Sequence, residues 1–499
     1  MHTPVAHRAG PREWTGLAIL ALPTALLGLD VSVLYLALPA LSADLQPTAT
    51  QALWIMDAYG FLIAGLLITM GTLGDRIGRR KLLMIGAACF GAVSVVAAFA
   101  TSAELLIAAR AALGIAGATL MPSTLSLLST MFTDARQRAV AIGIWATTFA
   151  LGMAAGPLVG GVLLDHFWWG SAFLVAVPPV GVLLLTAPLV LPEYRAPGSG
   201  RLDLRSVVLS LAAILPLIYA VKHTAKAGLD LGAVLSLLLG AAFAVVFVRR
   251  QRELADPLLD MSLFTSRTFN AALGVLLFGL VGVGGVMFLV TQYLQLVEGL
   301  SPFAAGLWMG PPALMMFLAA LASPLFARRV RPGVIVAVTL ALSAAGYVLL
   351  SLVDPGDTGL VVGGFGLVYL GLGAIAALGT DLVVGASPPE KSGSAAAMSE
   401  TVQELGLAVG VAVLGSLTSV IYRSQLPDLP PGLAGLEDGL AGAAAELPGD
   451  LLRQAQEAFT AGLNVTTLVT GIGVLALAAV SATVLRHIGT IGDDGYDEC

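Results

Sequence analysis

The chain has 499 residues, of which 57% are hydrophobic and only 11% charged, against ~25% charged in an average soluble protein. At a mean hydropathy of +0.91 too few charges remain to cover a soluble surface, which excludes a soluble globular protein, intrinsic disorder and fibres. Two cysteines, Cys89 in an apolar run and Cys499 at the last residue, make no disulfide framework, and a net charge of -6 offers no basic footprint for nucleic acid.

What remains is an all-α polytopic membrane protein. A membrane helix needs ~20 mostly apolar residues. Fourteen such stretches follow in order: 15–38, 52–72, 82–100, 104–131, 138–164, 170–191, 204–222, 229–248, 269–292, 303–327, 332–352, 359–385, 392–421 and 461–485. The runs are continuous rather than alternating, so a β-barrel is excluded. The first run is longer than a signal-peptide core and no small-residue cleavage site follows it, so it is a retained helix.

Orientation follows from Lys and Arg. With the N-terminus in the cytoplasm, 20 of the 25 basic residues fall in cytoplasmic segments. Only Lys222, Lys226, Arg423 and Arg453 fall outside, and Arg110 lies within a span. Both termini are therefore expected in the cytoplasm. The inner loops are short. One outer loop, about residues 422–460, is rich in Pro, Gly and acidic residues, with a short amphipathic helix expected around Asp450–Phe459.

The segment Leu151–Leu163 shares its spacing of Leu, Gly and Ala with Leu405–Leu417, an offset of 254 residues. That shift carries span 5 onto span 13. Eight helices is an even number, so the two copies run in the same direction. Parallel repeats of this kind imply two six-helix bundles with pseudo-two-fold symmetry facing a central cavity. The expected organisation is one bundle over 1–191, two inserted helices over 204–248, and a second bundle over 269–499 that includes the outer loop.

After span 2 comes Gly71-Thr-Leu-Gly-Asp75-Arg76-Ile-Gly78-Arg79-Arg80-Lys81. Its glycines allow a tight turn between two closely packed helices, and Asp75 is placed to pair with a basic side chain or a helix end. This spacing resembles the signature loop of the major facilitator superfamily. Three further segments resemble motifs of its drug:proton antiporters: Leu29-Asp30 followed by Ala37-Leu38-Pro39, then Arg110-Ala-Ala-Leu-Gly114-Ile-Ala-Gly117, then Gly152-Met-Ala-Ala-Gly156-Pro157-Leu-Val-Gly160-Gly161. With fourteen spans the resemblance is to the branch of quaternary-ammonium, multidrug and puromycin-type exporters. It implies a monomer in the bacterial plasma membrane that exchanges small drugs for protons among membrane lipid, with no cofactor, no metal and no nucleic-acid partner. Span 303–327 departs from some members of that branch in having no acidic residue, which weighs against dicationic substrates.

The fifth-span motif also has a direct physical reading. Gly152, Gly156 and Gly160 permit close helix contact, and Pro157 interrupts the backbone ladder. The packing they provide lets this helix form part of a sealing interface.

An ionisable group within a span is costly and is a functional candidate by default. At a rise of ~1.5 Å per residue, Asp30 lies roughly 12 Å from the outer end of span 1, Asp57 about 8 Å deep in span 2 and Arg110 about 9 Å deep in span 4. The three share a layer in which carboxylate–guanidinium pairing is possible. Glu404 lies near mid-membrane in a span with no basic residue, and Glu400 is one turn toward the cytoplasm on the same face. A carboxyl desolvated without a positive partner is a proton carrier. Asp30 and Glu404 are thus the leading candidates for proton coupling and substrate binding, with Asp57, Arg110 and Glu400 beside them. Asp381 reads as an interfacial residue. Trp54, Trp145, Trp308, Phe365 and Tyr369 read as helix-packing or belt aromatics, and Trp168 and Trp169 as outer-interface markers.

These features favour proton-coupled efflux of amphipathic, cationic antibiotics or toxic organic compounds by alternating access. The alternative is an exporter of an endogenous metabolite or lipid. An enzyme is disfavoured because no Ser/His/Asp arrangement, metal cluster or phosphate loop occurs, and the five histidines lie outside the membrane core. No catalytic residue is assigned. A sensor would need a soluble output domain, and a channel a filter sequence.

Overall fold

In a computed structural model describing residues 9–195, 203–227, 230–254, 257, 259, 261–327, 329–386, 392–426, 440–447 and 449–485, the chain is helical and the described residues form no strand. The first half comprises α1 (Pro11–Leu45), α2 (Ala49–Ile77), α3 (Arg79–Ala98), α4 (Ala103–Met131), α5 (Ala135–His166), α6 (Ser171–Leu174) and α7 (Val177–Val190). An inserted pair follows, α8 (Leu204–Ala227) and α9 (Leu231–Glu253). The rest is α10 (Arg267–Gln292), α11 (Pro302–Trp308), α12 (Gly310–Ala327), α13 (Pro332–Leu350), α14 (Thr358–Gly385), α15 (Ser392–Gln425), α16 (Leu440–Glu446) and α17 (Gly449–Val484). Among the described residues thirteen segments are long and apolar enough to cross a membrane. The remaining expected span is α8, whose apolar stretch covers Leu204–Leu217.

Helix starts are chemically marked. Thr48, Ser102, Asp134, Asp230, Ser266 and Ser301 each accept a hydrogen bond from a backbone N–H in the first turn that follows, satisfying donors that have no partner within the helix. Prolines set two breaks that the hydropathy count passes over. The span expected at 170–191 is built as α6 and α7, with Pro178 and Pro179 in the first turn of α7, where their missing N–H groups cost no intrahelical hydrogen bond. The span expected at 303–327 is split at Met309, and Pro311 and Pro312 occupy the first turn of α12. The separate amphipathic helix expected at Asp450–Phe459 is instead the beginning of α17, which runs unbroken into the last span. No proline or turn pair interrupts the chain there. Residues 427–439 of the outer loop lie outside the described residues.

Packing repeats between the halves. α1 lies along α5, α2 along α4, α3 along α4 and α7, and α1 also touches α7. The same relations recur as α10 with α15, α12 with α14, α13 with α14 and α17, and α10 with α17. α8 and α9 pack on each other, and α8 leans on both α2 and α15.

The face where α1 begins and α17 ends is called the terminal face here, and the opposite one the far face. Close glycine contacts join the halves at mid-span and toward the far face. Gly60 of α2 meets Ala408 of α15, Gly415 of α15 meets Leu53, Gly306 of α11 meets the Pro157 carbonyl, and Gly161 meets Pro302 and Phe303. Short α16 sits on the same side against α1 and α17.

Candidate functional site

Arg110 projects from α4 with almost no exposure. Its Nη1 donates to Asp30 Oδ2 at 2.8 Å, its Nε donates to the Ile55 carbonyl of α2 at 3.1 Å, and its guanidinium carbon lies 4.4 Å from the Tyr59 ring centroid. One cation therefore ties α1, α2 and α4 together through a carboxylate, a carbonyl and a π-face, the combination that makes a buried guanidinium tolerable. Asp30, one of the two carboxylates that share its layer, pairs with Arg110. Asp57 is buried in α2, two residues before Tyr59, and lies within Coulomb range of Tyr35.

The facing wall belongs to α15. Glu404 is buried where α15 meets Gly60 of α2, its backbone oxygen 3.7 Å from the position a Gly60 Cβ would take. It lies within Coulomb range of Asp30, Tyr35 and Tyr59, so it faces the same polar layer. Among the described residues no ion pair or hydrogen bond holds the Glu404 carboxylate. Glu400 is also buried, one turn toward the terminal face, and within Coulomb range of Glu404. Beside it Thr380 and Ser399 share a hydrogen bond of 3.0 Å, and Gln403 donates to the Ser399 carbonyl at 3.3 Å.

Aromatic rings line the boundary. Tyr35 stands 6.5 Å from Phe288 of α10, centroid to centroid. Tyr369 of α14 donates to Met287 Sδ at 3.0 Å and packs 4.3 Å from Phe365. Tyr35, Tyr59 and the Ile55 carbonyl were not identifiable from sequence, because nothing local distinguishes a buried tyrosine at a half-to-half boundary from one at any other helix contact. Trp145 donates to Thr124 at 3.1 Å and Trp169 to Asp44 at 2.7 Å, so both are positioned by hydrogen bonds within the first half.

The loop Gly71–Lys81 lies on the terminal face, far from this layer. Gly78 turns the chain at φ +113°, a conformation L side chains rarely adopt. Asp75 accepts from Arg79 at 2.8 Å, and Arg79 reaches the Pro122 carbonyl of α4 at 3.5 Å. The backbone N–H of Arg79 donates to the Tyr194 carbonyl at 2.9 Å, and Arg80 donates to the Leu191 carbonyl at 2.9 Å. Asp75 thus pairs inside the loop, and its basic neighbours make the contacts to adjoining segments. Arg76 is exposed. Glu193 and Tyr194, which follow α7, complete this clasp and carry no motif of their own.

The Gly152–Gly161 stretch of α5 faces two partners. Gly152 approaches Ala25, Gly156 approaches Ser32, and Gly160 approaches Val33, all on α1, while Gly161 approaches the start of α11. A Cβ at Gly156 would collide with Ser32, so α5 lies on α1 only because these side chains are absent. Among the described residues no group of three His, Cys, Asp or Glu side chains is placed to hold a metal ion.

The profile described as Major Facilitator Superfamily matches residues 20–411. Across 97% of this chain and 99% of the other, the sequence is 44% identical to a protein of Mycolicibacterium smegmatis named multidrug efflux pump LfrA. It is 35% identical to methyl viologen resistance protein SmvA of Salmonella typhimurium, over 85% of this chain and 86% of that one. The fold matches the crystal structure of a bacterial homolog of the human lysosomal transporter Spinster with a TM-score of 0.68, at 16% identity, over 96% of this chain and 98% of that one.

Proposed function

The chain belongs to the major facilitator superfamily, and from that membership we propose that it exports amphipathic, cationic antibiotics or toxic organic compounds from the bacterial cell in exchange for protons. Two six-helix halves, 1–191 and 269–499, rock about the central polar layer, with 204–248 as an inserted pair. The terminal face is the cytoplasmic one in this reading, which the distribution of Lys and Arg supports. The chain acts as a monomer in membrane lipid and carries out no covalent chemistry.

One observation carries the reading. Glu404 is a buried carboxyl without an ion partner among the described residues, and it faces the Asp30–Arg110 pair across the boundary between halves. Unprotonated, Glu404 attracts an organic cation entering from the cytoplasm. After the halves reorient, a proton from outside neutralises Glu404 and releases the cation. The protonated carboxyl returns to the cytoplasmic orientation, loses its proton and is ready again. Asp30 stays engaged with Arg110, so the pair serves as a fixed dipole beside the carrier and as the link through which α1, α2 and α4 respond to its charge. Aromatic Tyr35, Tyr59, Phe288 and Tyr369 offer flat faces to a planar cation. The packing of Gly161 and Gly306 toward the far face corresponds to the cytoplasm-open stage of this cycle.

One of the two relatives named above is a methyl viologen resistance protein. Methyl viologen is a doubly charged aromatic cation, which supports the cationic class and runs against the expectation, drawn from the acid-free span 303–327, that dications are disfavoured. The test is a susceptibility panel in a host lacking its own pumps, with and without this protein, containing a singly and a doubly charged aromatic cation. Raised resistance that disappears when the pH gradient is collapsed is expected. Unchanged susceptibility with the protein inserted overturns the proposal.

A further inference from the structure

Where α8 begins and α9 ends, the inserted pair encloses a groove of about 750 Å³ on the terminal face. We propose that this groove binds an anionic phospholipid of the adjoining leaflet, with its phosphate between Arg205 and Arg249 and an acyl chain over Val208 and Val246.

The charge arrangement selects an anion. Three arginines and Glu253 line the groove. Arg250 is committed to Asp203, donating through Nε at 2.7 Å and Nη2 at 2.8 Å, and Glu253 lies within its electrostatic reach. Arg205 and Arg249 are exposed and form no ion pair among the described residues. The groove therefore holds two positive charges outside any ion pair among the described residues, one on each helix, against the single carboxylate of Glu253, and keeps a net positive charge.

Depth makes the anion a lipid. Val208 lies three residues beyond Arg205 and Val246 three before Arg249, so both valines are ~4.5 Å farther into the membrane than the arginines. Leu204 is 66%, Val208 64% and Val246 49% exposed. Positive charge at headgroup level with bare apolar surface just beneath it complements a phospholipid along its whole length. A soluble anion would leave the apolar part uncovered.

The groove is also built before any ligand arrives. Ser206 donates to Asp203, and Gln251 donates to Ser206 at 2.7 Å and accepts from the Leu259 N–H at 3.1 Å. With the Asp203–Arg250 fork these bonds set the register of α8 against α9, so binding does not have to order the helices.

The full-length protein in detergent is incubated with phosphatidylglycerol or phosphatidylcholine, and retained lipid is read by native mass spectrometry. Several-fold greater retention of phosphatidylglycerol is expected. Arg205→Ala with Arg249→Ala should lower it to the phosphatidylcholine level. Arg252→Ala with Arg329→Ala, which removes equal charge elsewhere on the terminal face, should leave it high. Equal retention of the two lipids by the parent protein overturns the proposal without any variant. So do unchanged retention in the groove variant, equal loss in both variants, or displacement of the lipid by inorganic phosphate alone.

Discussion

Arg110 and Asp30, eighty positions apart, meet at 2.8 Å with the guanidinium 2% and the carboxylate 8% exposed. Cutting one member of a buried pair leaves the other charge without compensation, at a cost of about 3–5 kcal/mol. Asp30→Asn and Arg110→Ala are each expected to lower the unfolding temperature in detergent and to abolish efflux. The double variant should be less destabilised than the sum of the two, because no orphan charge remains. Additive losses in thermal unfolding would show that the two groups do not act on each other.

The Asp75–Arg79 bond is a short-range clasp within a loop that also holds the segment after α7. Asp75→Asn keeps the shape but removes the charge that anchors Arg79, whose side chain is only 10% exposed. The variant is expected to insert normally and to transport more slowly in reconstituted vesicles. Parental efflux rates would reduce the loop to a topology signal.

Hydropathy and charge distribution made the helices legible, because lipid tolerates only continuous apolar runs with paired backbones. Depth arithmetic likewise put Asp30, Asp57 and Arg110 in one layer. Which carboxylate meets the guanidinium was not legible. That depends on the rotational setting of α1, which is fixed by contact of Gly152 and Gly156 with Ala25 and Ser32 on a helix far away in sequence. The breaks at Pro178-Pro179 and Pro311-Pro312 were present as residue signals, and averaging hydropathy over a window erased them. Tyr59 is different, since only the tertiary meeting of α2 and α4 turns its ring toward Arg110.

At the inserted pair, the Arg250 fork and the Ser206 hydroxyl pull the Asp203 carboxyl down to about 2, from an ordinary value of 3.8. A folded-state value below the unfolded one contributes stability that is complete above pH 3.8 and is lost as the pH falls toward 2. The α8–α9 contact should therefore hold through mildly acidic pH and loosen only between about pH 4 and 2. Asp203→Asn should show faster amide exchange at the start of α8 at neutral pH, with little further change on acidification. An acid-sensitive variant would place the weak point elsewhere.

Glu404 differs from every other buried acid named here in combining three properties. It lies in the polar layer between halves, it has no ion partner among the described residues, and it is within electrostatic reach of the Asp30–Arg110 pair. A group that alternates between proton and cation must not be neutralised permanently by a fixed partner, which argues against Asp30 as the carrier. The rival role is a hydrogen bond across the α2–α15 contact. Glu404→Gln separates the two, because the amide keeps the shape and most of the hydrogen-bonding capacity but does not ionise. Efflux driven by a pH gradient is expected to fall to the rate of protein-free vesicles, with insertion and thermal stability unchanged. Binding of a cationic drug in detergent should weaken and lose its dependence on pH. Glu400→Gln, one turn away toward the terminal face, should retain part of both. Parental transport by Glu404→Gln with the parental pH profile would remove Glu404 from the cycle and return the coupling role to Asp30.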